Sequence, residues 1–216
     1  MQFSNGHEWF EDAGAMYGPP DLTDLAALFA ESNRAPFAYL LDPLPNASST
    51  TTSDLDRPPS SPNPTFPPSA TVLSAYADAL SYIGSIYLNL PANGGHDTPL
   101  ATCRRIMAFP SCMTNTYFPA LVCEERAPRA LAMLAHVFAM MKLVESGVPW
   151  LKGVAGRQVG LICGMVLNSE KVEGEEGQGK AGGLERMVKW PMDVIEGRVE
   201  VKREGGGGGK GEEMER

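Results

Sequence analysis

Residues 130–141 read ALAMLAHVFAMM, a run in which only His136 is polar. Two stripes recur through it at helical spacing, Leu131, Leu134, Phe138 and Met141 on one side, and Ala130, Met133, Val137, Met140 and Val144 on the other. A helix that is apolar all round must be surrounded by other helices or by lipid. A membrane span needs about 20 residues, so this run is expected to be too short for one. Arg129 and Lys142 frame it instead as the core helix of a bundle, with Pro128 at its first turn and Gly147 and Pro149 beyond its end. The rest of the chain must supply the helices that cover it.

Several segments qualify. Asp21 to Glu31 places Leu22, Leu25, Leu28 and Phe29 on one side behind an aspartate cap, and Pro36 ends any continuation. Leu73, Tyr76, Leu80, Ile83 and Tyr87 alternate steps of three and four, a seam of the coiled-coil kind on which a second copy could dimerise. Thr98-Pro99 is a helix start, with Leu100, Cys103 and Met107 on one face, and Pro110 and Pro119 are expected to break the next stretch into short pieces. Trp150 to Leu167 reads as a further helix. There Gly156, Gly160 and Gly164 recur every fourth residue, so a neighbouring backbone is expected to pack closely, offsetting a propensity cost of about 1 kcal/mol per glycine. A last helix fits Leu184 to Ile195. No strand-like alternation persists and no repeat is visible, so the expected fold is all-α, a helical bundle.

Composition divides the chain into residues 1–45, an N-terminal helical segment; 46–70, a Ser/Thr/Pro loop; 71–197, the helical core; and 198–216, a Gly/Glu/Lys tail. The loop and the tail hold too few apolar residues to offset the entropy of ordering them, and both are expected to be disordered, as is the acidic insert Glu170 to Gly183. Ser60-Ser61-Pro62 is a candidate phosphorylation site within the loop.

Charge and side-chain inventory then remove function classes. Residues 1–169 carry 9 basic and 14 acidic side chains, and 170–216 carry 9 and 12, which together give the net charge of -8. Neither part offers the positive field that a phosphate backbone requires, so direct DNA binding is not expected. Cys103, Cys112, Cys123 and Cys163 form no C-x-x-C pair, as a zinc knuckle or redox pair would need. They read as free thiols, and MQFSNGHEWF has neither the basic start nor the apolar core of a signal peptide. H-E-x-x-H, G-x-S-x-G, a Walker loop and G-x-G-x-x-G are all missing. His136 as a base for Cys123 is the one catalytic pairing available, and no third residue orients it. The chain therefore reads as a non-enzyme with no cofactor of its own.

The motifs across the second half carry a resemblance. Arg126-Ala127-Pro128-Arg129-Ala130-Leu131 leads into Leu134-Ala135-His136, Trp150-Leu151-Lys152-Gly153 comes next, and Trp190-Pro191-Met192 closes. This order resembles the C-terminal regulatory domain of fungal zinc-cluster transcription factors, the binuclear, six-cysteine class, in its sterol-uptake-regulator-like group. The resemblance implies a nuclear, all-helical regulatory domain. Its partners would be proteins of the transcription machinery, a second copy, or an apolar small molecule held among the helices. Met133, Val137, Met140, Met141 and Met165 are the candidate pocket residues, since flexible methionines line adaptable sites. Zinc would belong to a separate N-terminal module, which this sequence does not contain.

Overall fold

The helix Pro128–Val144 is the hub of the molecule. A computed structural model describes residues 25–42, 69–173 and 182–199. Among them are seven α-helices and no strand, so the class is all-α as expected. The helices are α1 (Leu25–Leu28), α2 (Ser69–Leu88), α3 (Pro99–Met113), α4 (Phe118–Cys123), α5 (Pro128–Val144), α6 (Val154–Glu173) and α7 (Gly182–Ile195), and a 3-10 run, Glu31–Leu41, comes after α1. The segments expected to be disordered lie almost wholly outside these residues.

Pro128 sits in the first turn of α5, where its missing N–H is not needed. Ala130, Ala132, Ala135 and Ala139 are completely buried, and their small side chains let α2, α3, α6 and α7 close around the helix. Lys142, in the last turn, donates to Glu145 at 2.9 Å beside the negative end of the helix. Together with the short turn after it, α5 runs from Pro128 to Gly147, long and apolar enough to span a membrane by length and composition. That stretch is longer than the apolar run 130–141 on which the expectation of no span was based, and the core helix of a bundle meets the same criterion. In the fold, most of this stretch is buried against other helices.

Four expectations are revised. Pro110 does not break its segment: α3 continues through it to Met113, while Pro119 does sit in the first turn of α4. The tryptophan-led helix begins at Val154, after a 3-10 turn Pro149–Leu151 that leaves Trp150 exposed. The glycine face of α6 receives no neighbouring backbone, because a Cβ at Gly156, Gly160 or Gly164 would meet nothing within 4 Å. Leu161 beside that face is 65% exposed. The Leu73 to Tyr87 seam is mostly used inside the chain. Tyr76, Leu80 and Ile83 are buried, and only Leu73 is largely exposed.

The cover of α2 is the run Glu31–Leu41, which belongs to the same core as the later helices: Leu28, Phe37 and Leu40 are part of one hydrophobic cluster with α2 and α5. Pro36 lies inside this run, and at Phe37 (φ -125°, ψ 22°) the backbone leaves the helical region.

Candidate functional site

The chemistry-bearing side chains converge where this strap, residues 31–42, crosses α2, α5 and α7. Its approach depends on Gly84. That residue is on α2 and packs against the Asn33 carbonyl, where no side chain fits. On either side of the notch, Arg34 Nε donates to Ser81 Oγ at 2.7 Å and Asn33 Nδ2 donates to the Ala27 carbonyl at 2.8 Å. Farther along, Arg129 from the first turn of α5 grips the end of the strap through its main chain. It donates to the carbonyls of Leu41 (3.2 Å) and Asp42 (2.6 Å) and lies over the Tyr76 ring.

Phe37 occupies the centre. Its ring makes edge contacts with Tyr87, His136 and Trp190 at centroid distances of 4.8, 4.9 and 5.0 Å. His136 lies on Trp190 of α7 as a stacked pair, 5.2 Å between centroids and 14° between planes. Edge-on and stacked arrangements of this kind satisfy the ring quadrupoles as well as the area they bury.

His136 is completely buried, and both of its nitrogens are engaged. Nδ1–H donates to the Ala132 carbonyl at 2.8 Å, which leaves Nε2 to accept from the Tyr39 hydroxyl, also at 2.8 Å. Burial pushes the imidazole down to about 4, against a weaker opposing pull from the Ala132 carbonyl, so the ring is neutral at physiological pH. Burial likewise pushes the Tyr39 phenol well above its ordinary value, opposed by nearby Arg186. Neither group is poised to move a proton near neutrality. Outside this cluster of rings, Arg186 lies over the Tyr39 ring and pairs with Asp42 at 3.1 Å, and Lys189 pairs with Asp193 at 2.9 Å. Between them runs a groove of ≈ 250 Å³ lined by Tyr39, Arg186, Lys189, Trp190 and Asp193.

Of the expected pocket residues, Met133, Val137, Met140 and Met141 are packed into the core, whereas Met165 is 44% exposed on α6. None of the five lines the groove at Trp190 or the larger one of ≈ 410 Å³ beside Asp78 and Asn115. Cys123 is exposed at the end of α4, and both nitrogens of His136 are bonded to other residues, so the two do not form a catalytic pair. Burial pushes the Cys163 thiol up to about 11 and that of Cys103 up as well, away from the reactive thiolate. Among the described residues, no three of His, Cys, Asp and Glu gather as metal ligands.

Reading the sequence singled out His136 and Trp190 but not Phe37 and Tyr39, the partners that the strap supplies. Phe37 and Tyr39 sit in a stretch whose only legible signal is the apolar run Tyr39-Leu40-Leu41, and Arg129 and Arg186 look like ordinary surface cations. No family model, curated protein or solved structure matches the chain.

Proposed function

We propose that this chain is a regulatory domain of the kind found in fungal zinc-cluster transcription factors. It acts in the nucleus by binding a partner, not by catalysis, and makes no DNA contact of its own. The observation that supports this reading most is the meeting of two motifs that carry the resemblance. His136 of Leu134-Ala135-His136 stacks on Trp190 of Trp190-Pro191-Met192. Residues chosen for one shared contact explain why both motifs would be present in one domain. The tied, neutral imidazole favours a structural role for that contact over an acid-base one. A protein partner is preferred to an apolar ligand held by Met133, Met140 and Met141, since those side chains are already packed. Zinc has no place in this reading except on a separate DNA-binding module.

Fusing the chain to an unrelated DNA-binding domain tests the proposal in fungal cells carrying a reporter with the matching operator. Reporter output is expected to change several-fold relative to the DNA-binding domain alone. A fusion that is expressed, folded, nuclear and without effect on the reporter would overturn it.

A further inference from the structure

We infer that the channel across α2, α5 and α7 is a peptide-binding groove. It is filled in cis by residues 31–42 and open to exchange for a partner segment with the same spacing of aromatic, tyrosine, leucine and acid. The inference gives a site to the regulatory reading and rests on it for purpose, while the recognition chemistry stands by itself.

A core that merely packs its own N-terminal segment needs only apolar contact. Here the core also reads the segment in the ways proteins read extended peptides, by main-chain bonds for grip and side-chain sockets for choice. Arg129 holds two consecutive main-chain carbonyls, those of Leu41 and Asp42, and would hold them whatever the side chains were. Gly84 lets the main chain at Asn33 lie directly on α2. Sockets take Phe37 and Leu40, both fully or almost fully buried. The Nε2 of His136 accepts from a hydroxyl at the end of a ring, which selects tyrosine over phenylalanine at position 39. Arg186 adds a contact to an acidic residue three positions later, Asp42.

The segment, for its part, contributes little to its own shape. No side chain caps the start of its 3-10 run at Ala30, the carbonyl at the other end is held by Arg129 of α5, and its backbone breaks from helical geometry at Phe37, one of its two most deeply buried side chains. A conformation with so little internal support is imposed by the groove, and another chain carrying Phe-x-Tyr-Leu-x-Asp would meet the same contacts. Cis occupancy sets the threshold such a partner must exceed, and it makes the groove a switch between a closed and a partner-bound form.

The test titrates a fluorescent peptide of residues 31–42 into the full-length chain and into its Phe37→Ala variant, monitored by anisotropy. Weakening the cis segment is expected to raise peptide affinity at least tenfold over wild type. A Tyr39→Phe peptide should bind severalfold more weakly than the parent, a loss that a merely greasy contact would not give. A Phe37→Ala chain that stays helical and binds the peptide no better than wild type overturns the proposal. Should that variant fail to fold, hydrogen exchange on the wild-type chain decides. The Asp42 amide, which bonds the Tyr39 carbonyl, is expected to exchange at least tenfold faster than the amides at the middle of α5, through opening of the segment alone. Equal rates there would overturn the proposal too. Neither measurement involves transcription, so failure of the reporter fusion and failure of the groove are separable.

Discussion

Gly84→Ala isolates the close approach on which the strap depends. The added Cβ would stand 1.8 Å from the Asn33 carbonyl oxygen and 2.7 Å from its carbon, whereas ordinary contact begins at 3.4 Å. Both atoms belong to a backbone, so no flexible side chain can swing aside, and the strap must retreat by about 1.5 Å. Hydrogen bonds of 2.7 and 2.8 Å from Arg34 to Ser81 and from Tyr39 to His136 do not survive a shift of that size. Full release would expose Phe37 and Leu40, each worth about 1.5–3 kcal/mol of burial. Against this, alanine is better than glycine inside a helix by about 1 kcal/mol. The net expectation for full release is a loss of about 2–5 kcal/mol. Gly160→Ala provides the control. It makes the same change in another helix where a Cβ meets nothing, and should stabilise by about 0.5–1 kcal/mol. Urea unfolding of the two variants beside wild type, monitored by far-ultraviolet circular dichroism, reads both. A Gly84→Ala chain as stable as wild type would refute the steric reasoning.

Other expectations concern single groups. Because the folded chain keeps His136 neutral down to about pH 4, the unfolded chain gains its proton first as pH falls below the ordinary value of 6.5. Between those two pH values stability should therefore decline by about 3 kcal/mol on account of this residue. His136→Asn should flatten the dependence of the urea midpoint on pH over that window, and parallel curves for the two proteins would count against the assignment. Thr102 is completely buried with no partner for its hydroxyl among the described residues. Replacing it by valine should leave stability unchanged or raise it by up to about 1 kcal/mol, and a loss larger than that in thermal or urea unfolding would mean the hydroxyl is used. The chain should give no mobility shift with random duplex DNA at low ionic strength, and tight binding that fades steeply with salt would reveal a basic face unaccounted for in the sequence.

How much of this was legible beforehand depended on the range of the physics involved. The all-apolar character of 130–141, the Thr98-Pro99 start and the terminal helix ending before Gly197 are local signals, and each led to an element close to its expected bounds. Pro110 misled because a proline costs its helix one hydrogen bond. Buried neighbours Ile106, Phe109 and Met113 hold α3 together across it. The glycines of α6 misled in the opposite sense: their spacing resembles a packing motif, yet the surface they create is left open. The strap was the least legible part. Its 3-10 geometry has no strong propensity signal, and the residues that hold it, Arg129, His136 and Trp190, are about 90–150 positions away in sequence. His136 stood out in sequence because it interrupts an apolar run, but only the fold shows that its two nitrogens are committed to α5 and the strap.

The stacked His136–Trp190 pair also gives the molecule an internal magnetic reporter. With the ring centroids 5.2 Å apart and the planes nearly parallel, the carbon-bound protons of the imidazole lie within reach of the indole ring current. Their resonances are expected to be displaced from those of a solvated histidine by an amount that depends steeply on ring separation. The Nδ1 proton, held by the Ala132 carbonyl and shut away from water, exchanges slowly and labels the tautomer directly. His96 is exposed, so a solvated imidazole stands in the same spectrum as an internal reference. Any event that moves the Tyr39 hydroxyl or tilts the indole is therefore recorded at His136 as a change in chemical shift, on a nucleus that needs no tag.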